Sequence, residues 1–88
     1  MKDFRSAFGT RLRELRKRAT LTQEELAHGA RIASSYLSDL ERGQQSPTLD
    51  VVNRIARALR VTVSEMFTPL TDTYRAKFRK RRNDSGEQ

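Results

Sequence analysis

Among the ionisable side chains of this chain, basic residues outnumber acidic ones. The 88 residues carry 18 Lys and Arg against 11 Asp and Glu, a formal net charge of +7. Residues 1–20 hold seven basic and two acidic side chains, residues 21–70 hold five and six, and residues 71–88 hold six and three. Basic clusters attract polyanions, nucleic acid first and anionic membrane surfaces second, but solvated helix faces also explain many of them. Charge alone therefore leaves a nucleic-acid partner and a merely solvated surface both open.

The sequence lacks the patterns of an enzyme, a metal site or a membrane span. A Ser-His-acid arrangement would need His28, the single histidine, to meet a serine such as Ser34 and a carboxylate on exposed helices. The glycines are isolated, no acidic cluster has metal-ligand spacing, and the absence of cysteine excludes cysteine-ligated zinc. No apolar run approaches the length of a membrane span, and the first residues lack the apolar segment of a signal peptide. We therefore expect a cytoplasmic protein with no enzymatic activity, no cofactor and no metal.

Helical spacing of the apolar residues predicts an all-α fold. A first helix is expected over about residues 3–18. A second begins at Thr22, because Thr22 and Glu25 form a capping box, in which each side chain accepts a hydrogen bond from the other residue's backbone N–H. A tight turn over residues 29–33 leads to a third helix over residues 34–42. The apolar stripe of the first helix consists of Phe4, Phe8, Leu12 and Leu15.

A polar loop joins the third helix to a fourth. Gly43 ends the third helix, because glycine readily adopts the left-handed backbone of a helix stop. That helix buries Leu37 and Leu40, and Ile32 before it is expected to anchor the turn to the core. The loop contains Pro47, and the fourth helix follows it with apolar residues spaced three and four apart. Its predicted apolar stripe consists of Leu49, Val52, Ile55, Ala56 and Leu59.

The character of the chain changes near Pro69. Thr62 and Glu65 repeat the capping pattern and begin a short fifth helix, which Pro69 interrupts. The prediction is a domain of residues 1–69 followed by a basic amphipathic tail of residues 70–88.

The tail combines three apolar residues with six basic ones. Leu70, Tyr74 and Phe78 recur every four residues, which is typical of a sixth, amphipathic helix over about residues 71–81. Residues 83–88 are polar and expected to be disordered. The basic side chains have three interpretations: contact with nucleic-acid phosphate, binding of a protein partner, or solubility. We favour phosphate contact, because each neutralised phosphate steepens the salt dependence of binding.

The most specific pattern in the sequence consists of four segments: FGTRLRELR at residues 8–16, LTQEELA at 21–27, YLSDLERG at 36–43 and IARAL at 55–59. In this order and spacing, across about residues 5–68, they resemble the Cro/C1-type (XRE) helix-turn-helix family. The resemblance implies a compact five-helix, lambda-repressor-like domain whose second and third helices bind double-stranded DNA. It also implies a bacterial or phage protein associated with the nucleoid.

The resemblance assigns roles to individual positions. Gln23 matches a glutamine that contacts a backbone phosphate and braces the third helix. Arg16 and Glu41 match a buried ion pair between the first and third helices; the alternative is that Glu41 is simply exposed. Asp39 either accepts a hydrogen bond from a cytosine amino group or serves as an outward, solvating charge. The implied base contacts are Ser34, Ser35 and Asp39, and the implied phosphate contacts are Thr22, Gln23, Arg31, Tyr36, Arg42 and Gln44.

Two positions depart from the family's pattern. Arg31 stands where the family usually has a glycine in the turn, and Ala33 stands where it has a serine or threonine as helix cap. Arginine in left-handed backbone costs about 1 kcal/mol relative to glycine. Either Gly29 takes over the turn or Ser34 serves as the cap, and each of these alternatives shifts the base contacts by one residue. The Arg31 side chain either reaches a phosphate or is solvated.

A single domain offers few base contacts, so we expect a homodimer on a palindromic site. The dimer interface should use apolar residues left over from the core, and the alternative for Met66 and Phe67 is that they close that core. The predicted interface residues are Val63, Met66, Phe67 and Leu70, with Tyr74 and Phe78 if the tail is helical.

The leading functional hypothesis is a small dimeric repressor or autoregulator of transcription, of the phage, plasmid or restriction–modification controller type. The domain nearly fills the chain, so no separate ligand-sensing domain is expected. The alternative is an antitoxin, which binds DNA and masks a toxin protein through residues 69–88.

Overall fold

A computed structural model describes residues 3–68 as five helices with no strand. The first four are α1 (Phe4–Arg18), α2 (Gln23–Ala30), α3 (Ser34–Glu41) and α4 (Leu49–Leu59). The fifth, α5, occupies residues 63–68 of the described range. These bounds confirm the five predicted helices of the domain. The predicted break at Pro69 and the tail of residues 70–88, with its sixth helix, lie outside the described residues.

Side-chain caps begin most of these helices. The Thr22 hydroxyl accepts from the Glu25 backbone N–H at 3.0 Å, and the Glu25 carboxylate accepts from the Thr22 N–H at 2.8 Å. Thr62 and Glu65 repeat the arrangement at 2.9 and 2.8 Å. Both predicted capping boxes are therefore confirmed. At α1 the Asp3 carboxylate accepts from the Ser6 N–H at 2.9 Å, a hydrogen bond that lowers the pKa of Asp3.

One apolar core lies between α1 and the other helices. α2 packs against α3 and α4, and α1 packs against α3. Burial of these large side chains removes their apolar surface from water, the main favourable term in folding. The largest fully buried side chains are Phe8, Leu12, Leu26, Leu37, Leu40, Ile55 and Met66.

Leu49 does not belong to the apolar stripe of α4, so that part of the prediction was wrong. Its side chain is 87% exposed, whereas Val51 is buried. Thr48 caps the helix, and Leu49 is its first residue. Because Val51 belongs to the buried face, the centre of that face lies about 90° from Leu49 at 100° per residue. Leu49 therefore extends into solvent beside the α3–α4 loop.

α5 closes the core with two adjacent side chains. Met66 has no exposed surface, so its prediction as a dimer-interface residue was wrong: a side chain this buried within one domain cannot face another. Phe67 is half-buried and stacks on Phe8 with ring centroids 5.3 Å apart and on Phe4 at 6.0 Å. The alternative interpretation, in which Met66 and Phe67 close the core, holds fully for Met66 and partly for Phe67.

Candidate nucleic-acid interface

The turn between α2 and α3 keeps the backbone geometry of a glycine although arginine occupies it. Arg31 has φ +60° and ψ +46°, in the left-handed region. Its N–H donates to the His28 carbonyl at 3.1 Å, and the Ile32 N–H donates to the Ala27 carbonyl at 3.0 Å. The half-buried Ile32 packs on the core, as predicted. These are the hydrogen bonds and the apolar contact that end a helix at a left-handed residue.

α3 begins without a side-chain cap. Ala33 is the capping residue and makes no side-chain hydrogen bond, and the helix starts at Ser34. Gly29 remains inside α2. Both alternatives for this segment were therefore wrong: Gly29 does not take over the turn, and Ser34 is not the cap. Since neither shift occurs, Ser34, Ser35 and Asp39 keep the helical positions at which the resemblance places them.

Close contact with α1 positions α3. Leu37 and Leu40 are fully buried, which fixes the face that α3 turns inward. Gly9 lies against the end of the helix: a Cβ at this position would be 2.4 Å from the Leu40 carbonyl oxygen and 2.6 Å from that of Glu41. Real Cβ atoms essentially never come this close, so only glycine permits this approach. This role of Gly9 was not predicted from the sequence.

A buried ion pair also joins α1 to α3. Arg16 Nε donates to Glu41 Oε2 at 2.6 Å and Nη2 donates to Oε1 at 3.1 Å, so the structure brings the predicted pair together. The side chains are only 11% and 3% exposed. Gln23 Nε2, on α2, also donates to Glu41 Oε1 at 3.0 Å, and Arg16 Nη1 donates to the Leu21 carbonyl at 2.9 Å. The hydrogen bond to Glu41 raises the pKa of the Arg16 guanidinium. The two helices and the N-terminus of α2 are thereby tied to one carboxylate.

The outward face of α3 begins with two serines. Ser34 and Ser35 are exposed, as are Thr22, Arg31, Arg42 and Gln44 around them, whereas Tyr36 is half-buried against the core. A hydroxyl both donates and accepts, so serines can bond many base edges and specify weakly by themselves.

Asp39 and Arg42 do not act as separate groups. Arg42 Nη2 pairs with Asp39 Oδ1, and Arg42 Nη1 donates to the Ser38 hydroxyl at 2.6 Å. A weaker hydrogen bond at 3.4 Å joins Arg42 to Gln44. The Arg42 guanidinium therefore offsets the negative charge of Asp39. This pairing was not predicted from the sequence, although three-residue spacing of opposite charges on a helix is a known signal.

Arg54 of α4 supports the turn and was also missed. Its Nη1 donates to the Arg31 carbonyl at 3.1 Å, and its Nη2 pairs with Asp50 at 3.1 Å, one turn earlier in α4. The Asp50–Arg54 spacing is visible in the sequence. The bond to Arg31 is not, since it depends on how α2 and α4 pack.

Two of the predicted dimer residues, Val63 and Phe67, keep solvent-accessible surface in the described domain. Val63 is 41% exposed and Phe67 half-buried, beside Phe4, which is 47% exposed. Leu70, Tyr74 and Phe78 lie outside the described residues.

His28 is an exposed residue in the last turn of α2. Across residues 3–68, no group of three or more His, Asp or Glu side chains could hold a metal ion. None of the helices described is long and apolar enough to cross a membrane.

Similarity to known proteins identifies the family of this chain. A family model described as a helix-turn-helix domain matches residues 7–66. The chain belongs to the Cro/C1-type (XRE) helix-turn-helix family. The resemblance seen in the sequence is therefore confirmed, as is the compact all-α fold.

Several relatives of the chain are named as regulators. An uncharacterized HTH-type transcriptional regulator of Sinorhizobium fredii is 38% identical over 71 residues, which span 81% of this chain and 92% of the relative. The restriction–modification controller protein C.AhdI of Aeromonas hydrophila is 40% identical, with a TM-score of 0.70 over 70% of this chain and 94% of its own. The immunity repressor of Bacillus phage phi105 is 41% identical over 64% of this chain, but the match spans only 39% of the repressor's length. The relatives are transcriptional regulators, and the family is one of DNA-binding regulators rather than enzymes.

Proposed function

We propose that this chain is a dimeric transcriptional repressor or autoregulator that recognises a palindromic operator by inserting α3 into the major groove. The proposal rests on one observation above all. The inward face of α3 is fixed by Leu37, Leu40 and the Glu41 network, while Ser34 and Ser35 are exposed at its start. A helix held this firmly by its own domain presents its N-terminal residues to base edges in one orientation.

The charged and polar side chains around α3 are proposed to contact phosphate. Arg31 lies just before the helix and Arg42 at its end, and Gln23 and Thr22 lie at the start of α2. Tyr36 and Gln44 complete the proposed set. Such contacts position the helix on the duplex without reading sequence, and they make binding depend on salt. Asp39, held by Arg42, is proposed to accept a hydrogen bond from a base amino group.

Dimerisation is proposed to use the exposed apolar surface at the junction of α1 and α5. Val63 and the outer edge of Phe67 supply that surface in the described residues, and Leu70, Tyr74 and Phe78 are proposed to extend it. Two copies related by a two-fold axis would place two α3 helices on half-sites about one helical turn apart.

The relatives support the regulatory class. C.AhdI is named a restriction–modification controller protein, and the phi105 relative an immunity repressor. We infer a controller or repressor of the same kind here.

The test is selection of bound sequences from random duplex DNA, followed by gel shift at two salt concentrations. The expected result is an enriched palindrome with half-sites about 10 base pairs apart. Ser35→Ala should weaken binding of the selected palindrome by about 0.5–1.5 kcal/mol, the worth of one neutral hydrogen bond, and relax the base preference at one position of each half-site. Asn53→Ala, which removes an exposed polar side chain from α4, is the matched control and should bind like the parent.

Binding without an enriched motif would contradict operator recognition by this chain. In that case co-purification with a protein encoded beside it would favour the antitoxin hypothesis, in which residues 69–88 bind a toxin.

A further inference from the structure

A depression of about 290 Å³ lies between the C-terminal end of α2 and the side of α4. Two small residues of α2, Gly29 and Ala30, line it together with three arginines, Arg31, Arg54 and Arg57. The proposed function uses only one of these arginines, Arg31. Three cations around one concave surface are electrostatically unfavourable unless an anion joins them.

The guanidinium of Arg54 is already held in place. Nη1 donates to the Arg31 carbonyl at 3.1 Å and Nη2 pairs with Asp50 Oδ2 at 3.1 Å. Its Nε is buried and has no hydrogen-bond partner among the described residues. A cation fixed on two sides loses little side-chain entropy when a ligand binds, so Arg54 is preorganised.

Arg31 and Arg57 leave the depression with uncompensated charge. Both side chains are exposed. Within residues 3–68, no carboxylate approaches either guanidinium within 4.0 Å. Asp50 offsets one of the three positive charges, so two remain.

Hydrogen bonds cap part of the negative end of the α2 dipole, which borders the depression. The Ala27 carbonyl accepts a hydrogen bond from the Ile32 N–H, the His28 carbonyl accepts from the Arg31 N–H, and the Arg31 carbonyl accepts from Arg54. Capped carbonyls repel an incoming anion less than free ones do.

We infer that this depression is a phosphate-binding site, formed by Arg57 and Arg31 with Arg54 as the fixed cation. A phosphate group complements the two uncompensated charges, with one negative charge in the DNA backbone and about 1.5–2 in a free monoester, and guanidinium groups bind its oxygens in a bidentate manner. The small side chains of Gly29 and Ala30 leave room for a tetrahedral group to approach the arginines. The inference goes beyond operator recognition by α3. The phosphate comes either from the DNA backbone or from a free phosphorylated compound.

The first experiment titrates inorganic pyrophosphate into the full chain and follows backbone amide resonances by NMR. Binding at the site predicts saturable shifts concentrated at residues 29–31 and 54–57. Arg57→Gln should weaken binding about tenfold, because it removes one charge-assisted contact. Arg13→Gln removes the same charge from an exposed position of α1 and should bind pyrophosphate like the parent. Thermal melts of both variants check that the fold is retained.

The second experiment distinguishes the two sources of phosphate. If DNA supplies it, Arg57→Gln reduces the slope of log K against log salt for duplex DNA by about 0.9 relative to the parent. If a free compound supplies it, the slope is unchanged while pyrophosphate binding falls. Shifts scattered over all basic residues, or equal pyrophosphate affinity of the parent and Arg57→Gln, would overturn the inference. Operator binding by Ser34 and Ser35 would be unaffected by that failure.

Discussion

Replacing Glu41 by alanine should destabilise this domain more than any change of an exposed charge. The Glu41 carboxylate accepts three hydrogen bonds, two from Arg16 and one from Gln23. Its loss leaves a largely buried guanidinium with a single remaining partner, the Leu21 carbonyl. Removing one member of a buried ion pair costs about 3–5 kcal/mol. Since a domain of this class has a total unfolding free energy of about 5–15 kcal/mol, a large part of it is lost.

The assay is urea unfolding at pH 7, followed by the circular dichroism of the helices. At about 1 kcal/mol per molar urea for a small domain, the midpoint of Glu41→Ala should fall by about 3–5 M. Trimethylamine oxide, which strengthens burial, keeps the variant measurable if it unfolds in buffer.

Two controls separate the buried pair from charge in general. Glu14→Ala breaks the exposed Arg11–Glu14 pair, whose atoms are 3.7 Å apart, and should change the unfolding free energy by about 0–1 kcal/mol. Arg16→Met combined with Glu41→Leu removes both buried charges and should recover much of the loss. A Glu41→Ala protein that unfolds at the parent's urea concentration would refute the reasoning. So would a double variant whose loss of unfolding free energy equals the sum of the losses in Arg16→Met alone and Glu41→Leu alone.

Three further predictions concern the backbone and the helix caps. Gly9→Ala forces a methyl group onto two carbonyl oxygens of α3 and should lower the unfolding free energy by about 1–3 kcal/mol or more; an unchanged thermal midpoint would show that the helices separate at no cost. Arg31→Gly relieves the left-handed strain but increases the entropy of the unfolded chain, so urea unfolding should show a net gain of about 0.5 kcal/mol and not a loss. The hydrogen bond from the Ser6 N–H lowers the pKa of the Asp3 carboxylate below its ordinary 3.8. Its contribution to the unfolding free energy is therefore complete above pH 3.8 and is lost as pH falls through the lower pKa of the folded state. Asp3→Ala should therefore be less stable than the parent at pH 6 but approach it near pH 2, and a difference constant over this range would contradict the assignment.

Local patterns in the sequence predicted the helices well. The capping pairs Thr22–Glu25 and Thr62–Glu65 depend on residues three apart, so their hydrogen bonds are contained within a short segment. The Arg16–Glu41 pair is separated by 25 residues, and only the family resemblance brought it into view.

Features that depend on packing between helices were not predictable in this way. In the sequence Gly9 cannot be told from other helical glycines, because its role depends on the position of α3. The hydrogen bond from Arg54 to the Arg31 carbonyl joins two residues that are 23 positions apart. Leu49 was misplaced because it satisfies helical spacing at the edge of the stripe, where burial depends on neighbouring elements. Base contact by the α3 serines and association of two copies both stay predictions, because they depend on partners outside the chain.

The residues that hold α3 in place are different from its exposed serines, and this separation has an evolutionary consequence. Gly9, Arg16 and Glu41 hold the helix, while Ser34 and Ser35 lie in solvent. Substitutions at exposed sites of this kind usually change the unfolding free energy by no more than about 0.5 kcal/mol. If Ser34 and Ser35 contact bases as proposed, gene duplicates of such a regulator can diverge at these two positions toward new operators without first acquiring compensating, stabilising mutations.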